Sequence, residues 1–122
     1  MRSNSTKEKL NNTEKGKKGE FIAKKYILSK GINIIAENHH SIYGEIDIIG
    51  EKDKKLFFFE VKLRNNKKFG EAKESITKSK LEKLHKTILD WLSKNEKYAD
   101  YEMHLILIAI DKDKISVYEI ST

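Results

Sequence analysis

Asp47, Glu60 and Lys62 are charged residues set inside two neighbouring apolar segments, residues 45–51 (EIDIIGE) and 55–64 (KLFFFEVKLR). A strand buried on both faces reads as a nearly continuous apolar run, and a surface strand alternates along its whole length. These segments do neither. Side chains alternate along a strand, so Glu45 and Asp47 are expected on one face of the first segment, with Ile46 and Ile48 on the other. On the second segment Phe58, Glu60, Lys62 and Arg64 share a face, and Phe57, Phe59, Val61 and Leu63 share the opposite one. The short polar link at 52–54 predicts a hairpin, which sets Asp47 across from or diagonal to Glu60.

Two carboxylates so close repel each other and raise at least one pKa. An isolated buried charge is costly as well. A divalent cation would relieve both problems. Magnesium prefers oxygen ligands, usually one or two carboxylates with water and substrate phosphate. It activates water and shields the charge that builds up on a phosphate under attack, and a lysine beside it steadies that charge or orients the water. Asp, then Glu-x-Lys on the next strand, therefore suits phosphodiester hydrolysis. A lysine–carboxylate ion pair on a solvated sheet face, contributing about 0–1 kcal/mol, needs the same residue types. Spacing alone leaves both readings open.

The elements that must position these residues can be read along the chain. A helix is predicted from residue 12 or 13, with Phe21, Ile22, Ile27 and Leu28 at roughly helical spacing and Gly31 just past its end. Strands follow at 32–37, 45–51 and 55–64, then a polar loop at 65–70. A second helix is predicted over 75–95, its apolar side marked by Ile76, Leu81, Leu84, Ile88, Leu89, Trp91 and Leu92. Strands at 103–110 and 115–120 complete the order α-β-β-β-α-β-β. That order predicts an α/β protein with helices packed on a mixed five-stranded sheet. Residues 1–11 read as a flexible basic tail, and 12–122 as a single domain.

The 122 residues are 38% hydrophobic and 36% charged. Apolar runs at 56–59 and 105–110 argue against global disorder. No run reaches the roughly 18 apolar residues of a membrane span, and the N-terminus lacks the apolar core of a secretion signal. The absence of cysteine excludes disulfides and thiolate metal sites. A cytoplasmic protein without membrane contact is the resulting expectation. The net charge is +6, carried by residues 1–18 (+4) and 62–86 (+6) against −4 elsewhere. Such basic segments suit a polyanion such as nucleic acid, although a lysine-rich composition accounts for them equally well.

The run KGEFIAKKYILSKGINIIAEN, followed by YGEIDIIG, FFFEVKLR and FG, resembles the YraN-like family of small bacterial proteins over about residues 16–120. That family is grouped with the PD-(D/E)XK nuclease superfamily and is closest in outline to archaeal Holliday junction resolvases. The resemblance implies a restriction-endonuclease-like core forming a single nuclease-like domain. It implies Asp47 and Glu60 as ligands of Mg²⁺ or Mn²⁺, with the Val61 carbonyl completing the contacts. Lys62 would stabilise the transition state or orient water, and Glu20 of the KGE run would reach the same metal from the first helix. Lys80 and Lys83 match basic positions of the family's second helix, where they could contact phosphate, as could Arg64. His40 stands where many relatives carry an arginine just before GEID. Glu45 is a second acid or a groove liner, and Gly70 of KFG a turn glycine.

The expected function is metal-dependent hydrolysis of DNA, with branched or structured DNA suggested by fold analogy; a resolvase would act as a homodimer. The alternative is a catalytically silent nucleic-acid-binding or adaptor protein that keeps the fold. Adjacent His39 and His40 should point to opposite faces rather than form a metal pair. His85 and His104 have no partner at ligand spacing. Trp91, Tyr98 and Tyr101 suit core packing more readily than base stacking.

Overall fold

The computed structural model describes residues 12–64, 76–112 and 114–120, with the side chains of 12–16 and 64 left out. The predicted basic tail, the 65–70 loop and Gly70 lie outside the described residues. The elements are α1 (Asn12–Ser29), β1 (Asn33–His40), β2 (Glu45–Lys52), β3 (Lys55–Arg64), α2 (Lys78–Ser93), a short 3-10 turn (Glu96–Tyr98), β4 (Glu102–Asp111) and β5 (Lys114–Glu119). The expected order holds. Spatial order in the sheet follows chain order, β1-β2-β3-β4-β5. Every neighbouring pair is antiparallel except β3 with β4. A parallel pair cannot be joined by a tight turn, and α2 lies within the connection between these two strands.

The two helices cover opposite faces of the sheet. Ala23 and Ile27 of α1 pack with Ile48, Phe59, Ile106, Ile108 and Ile110, and Leu84, Ile88 and Trp91 of α2 pack with Ile46, Ile49, Leu56, Phe58 and Leu105. Each buried Ile, Leu or Phe among them contributes roughly 1.5–3 kcal/mol. The apolar stripe expected on α1 shifts. Phe21 and Leu28 are 60% and 57% exposed, and the helix instead seats Gly19, Ala23 and Ile27 on the sheet. Small residues allow that close approach: a Cβ on Gly19 would lie 3.4 Å from Leu63 Cβ. Phe58, Trp91, Tyr98 and Tyr101 follow one another in ring contact, edge-on or tilted, as core packing requires.

Helix α2 starts later than the apolar pattern suggests. Thr77 has an extended backbone, and its hydroxyl accepts from the Lys80 amide at 3.1 Å, so it acts as the N-cap. The β2–β3 link turns through Asp53 and Lys54, both at positive φ, the conformation that matches hairpin twist. Helix α1 ends at Gly31 (φ 79°), whose amide donates to the Leu28 carbonyl.

Candidate functional site

The decisive local feature is a paired irregularity in β1 and β2. Ile48 lies opposite Glu37 and Ile46 opposite His39, which leaves Asn38 beside Asp47. Asn38 has φ 50°, a left-handed conformation that asparagine tolerates better than most residues. Both strands change face there. Ile46 packs on the α2 side and Ile48 on the α1 side, so the expectation that the two isoleucines share a face is corrected. The β2–β3 pairing ends at Ile48 and Phe59. One position further, Asp47 Oδ2 accepts the Val61 N–H at 2.8 Å. A side chain has replaced the ladder, and that frees Asp47 to turn toward α1.

Three carboxylates meet there. Oxygens of Glu20, Glu45 and Asp47 all lie within 4.8 Å of one another, and all three residues are partly buried. Asn38 bridges two of them. With its amide oriented to satisfy both partners, its nitrogen donates to Glu20 Oε2 at 3.0 Å and Glu45 Oε2 at 2.9 Å. Burial raises the Glu20 pKa, and the Asn38 hydrogen bond opposes the rise. Burial, and then the charge of Glu60, push Asp47 up to about 7 despite the Val61 hydrogen bond. Oxygens on an octahedral magnesium at about 2.1 Å are spaced by roughly 3–4 Å, so a slight contraction of this trio would match such an ion. The donor set fits a hard divalent cation.

Glu60 stands apart from the trio. It is 8% exposed and faces α2, where Lys80 Nζ lies 2.9 Å from its Oε2 and Lys62 Nζ lies 3.9 Å from the same oxygen. The two lysines are close enough to perturb each other's protonation. Burial, and then the neighbouring Lys80, lower the Lys62 pKa. Burial works against the charge of Lys80, but the neighbouring Lys62 and the Glu60 carboxylate outweigh it and raise its pKa.

Asp47, Glu60, Lys62 and Glu20 thus converge on one region, and Glu45 joins the acids. Lys80 is a partner of Glu60 rather than a surface cation. Lys83 is exposed on α2. His40 is exposed, with Nδ1 3.8 Å from Glu45 Oε1. His39 points the other way, to Asp90 of α2 at 2.9 Å, as expected for adjacent strand residues. The Val61 amide serves Asp47, and the Arg64 side chain lies outside the described residues. Sequence reasoning missed Asn38. Its one signal was residue type, an asparagine within a strand.

These features define a small α/β protein with an acid–lysine centre where β2 and β3 part between the two helices. A model described as "Uncharacterised protein family UPF0102" matches residues 19–112, and the chain belongs to that family. A UPF0102 protein of Dichelobacter nodosus is 41% identical over 87 residues, covering 71% of this chain and 69% of the relative. One from a Sulfurihydrogenibium species is 44% identical over 86 residues, covering 70% and 75%. One from Francisella tularensis subsp. tularensis is 39% identical over 104 residues, covering 84% and 89%. All residues that build the centre fall inside the matched span. No described helix is long and apolar enough to cross a membrane.

Proposed function

We propose that the protein is a metal-dependent endonuclease of the PD-(D/E)XK type that hydrolyses phosphodiester bonds in DNA. The observation that carries this reading is the convergence of Glu20, Glu45 and Asp47 next to Lys62 and Glu60. Mg²⁺ or Mn²⁺ held by the three carboxylates would activate water and shield the phosphate during attack. The chain's own groups supply the rest. Asn38 fixes the orientation of Glu20 and Glu45. The Val61 amide fixes Asp47. Lys62 holds its proton less tightly than a free lysine, which suits a group that orients water or passes a proton. Exposed Lys83 and the wider excess of basic residues would bind the phosphodiester backbone. A homodimer would present two such centres to a branched substrate, and a cytoplasmic setting would give access to DNA.

One observation favours the second reading, a nucleic-acid-binding adaptor without turnover. Glu60 is engaged by Lys80 at 2.9 Å and is not part of the carboxylate trio.

Incubation with single-stranded, duplex and four-way-junction DNA plus Mg²⁺ or Mn²⁺ tests the choice, with Asp47→Ala and Lys62→Ala run beside the wild type. Metal-dependent cleavage lost in both variants supports the nuclease. Binding without cleavage supports the adaptor. Cleavage that survives both substitutions rules out this centre.

A further inference from the structure

The turn between β1 and β2 carries Ile42 at 92% exposure and Tyr43 at 42%. Two large apolar side chains at a turn tip are out of place in a chain this polar. The turn is nevertheless firmly built. The Ser41 amide donates to the Gly44 carbonyl at 2.8 Å, and the Gly44 amide donates back at 3.3 Å. Ser41 Oγ accepts the Tyr43 amide at 3.0 Å. Ser41 Oγ also lies 3.0 Å from Oγ1 of Thr87, which is wholly buried. Thr87 directs its own proton to the Lys83 carbonyl, so Ser41 is the donor between the two hydroxyls. The tip is thereby tied to α2.

Its surroundings are cationic. Lys86 Nζ lies 5.2 Å from the centre of the Tyr43 ring; His40, just before the turn, is exposed, and so is Lys83, whose carbonyl accepts from the Thr87 that holds Ser41. Cations around the tip complement the phosphate backbone of nucleic acid. Apolar and aromatic side chains ringed by cations suit nucleic acid, where wedges part base steps and rings stack on exposed bases. The tip is also close to the acids. Glu45 follows Tyr43 by two residues, about 7 Å along an extended chain, or roughly two nucleotide steps of 3.4 Å.

We propose that the β1–β2 turn is a wedge: Ile42 enters a base step, Tyr43 stacks on the base so exposed, and Lys83 and Lys86 hold the flanking phosphates. The preferred ligand is then DNA whose stacking is already interrupted, at a branch or a nick, because parting an intact step costs energy. This rests on the nucleic-acid reading above but not on turnover.

The test uses the full chain without divalent metal, at low salt, with oligonucleotides carrying 2-aminopurine either at a branch or within an intact duplex. Its fluorescence rises when the base leaves the stack. The wild type is expected to raise the signal several-fold at the branch and little in the duplex. The double variant Ile42→Ser, Tyr43→Ala should bind the duplex unchanged, lose about fivefold in branch affinity and leave the base stacked. Wild-type binding without a fluorescence rise overturns the proposal, as does an equal rise with the variant. So does a change in sedimentation mass in the variant with DNA signals unaltered, which would make the turn a self-association contact. Failure to bind either DNA overturns both the wedge and the nucleic-acid reading. Base unstacking without cleavage once Mg²⁺ is added overturns the nuclease alone.

Discussion

Asp47 Oδ2 takes the Val61 amide proton at 2.8 Å, at the ladder position where a backbone carbonyl of β2 would otherwise serve. A buried amide needs a partner, and here a titratable side chain supplies it. The carboxyl is therefore positioned by the sheet itself, while burial and Glu60 hold its pKa near 7.

Stability should consequently fall as pH rises through this range. The native state binds the Asp47 proton more tightly than the unfolded chain, so it holds more protons between about pH 4 and 7, and the slope of unfolding free energy with pH is negative there. Asp47→Asn keeps an acceptor for Val61 and removes the charge. It is expected to be a few kcal/mol more stable than wild type at pH 8 and little changed at pH 4. Urea denaturation across that range checks this; parallel curves for the two proteins would refute it.

Lys80 should matter through Glu60. Lys80→Met leaves a nearly buried carboxylate with Lys62, at 3.9 Å, as its remaining cation among the described residues, at an expected cost of about 1–3 kcal/mol. Mg²⁺ in the millimolar range should recover most of the loss by neutralising the freed acid. Thermal melting with and without Mg²⁺ reads both effects. An equal loss in the two conditions would place Glu60 out of a cation's reach.

His104 offers a pH effect at the far edge of the sheet, also destabilising as pH rises. Its hydrogen bond to Glu119 raises its pKa against the effect of burial, and Glu102 adds to the rise. A raised histidine stabilises fully below the unfolded pKa of about 6.5 and ceases to do so as pH climbs through the folded value. Both glutamates are more than half exposed, so screening limits the effect to about 1 kcal/mol. The destabilisation caused by His104→Gln should be larger at pH 6 than at pH 9 in guanidinium titrations.

Gly50 should tolerate no side chain. A Cβ there would lie 2.6 Å from Ile32 Cγ2, 3.1 Å from the Asn33 carbonyl oxygen and 3.4 Å from the Phe59 ring. Gly50→Ala is expected to cost about 1–3 kcal/mol through overpacking, seen as a lower urea midpoint. An unchanged midpoint would mean that β1 can give way at this point.

Much of this was legible in residue order. The hairpin at 52–54, the apolar 103–110 strand and the turn at Gly31 follow from local patterns that backbone chemistry dictates. The meeting of Asp47, Glu60 and Lys62 followed from period-two alternation along β3. Alternation failed at Ile46 and Ile48, which pack on opposite sides of the sheet where the left-handed Asn38 of β1 lies beside Asp47, and no periodicity encodes that change of face. The ion pair of Lys80 with Glu60 was hidden for another reason. It depends on how α2 lies across the sheet, and a lysine between apolar helix positions reads the same whether it meets water or a carboxylate. The exposed Phe21 and Leu28 likewise turn on the close seat of Gly19, a packing choice that apolar spacing does not report.

The one parallel ladder sets a schedule for biosynthesis. Lys55 pairs with Glu102 and Arg64 with Asp111, so the strand bearing Glu60 and Lys62 gains its second neighbour only after α2 and β4 have been made. Until then one long edge of β3 is open, and the acid–lysine centre has no β4 wall behind it. A ribosome-bound chain stopped before β4 would hold Glu20, Asp47 and Glu60 without the completed sheet that fixes them. Slow, non-local closure of this kind would leave the acid–lysine centre unassembled until β4 has been made and docked.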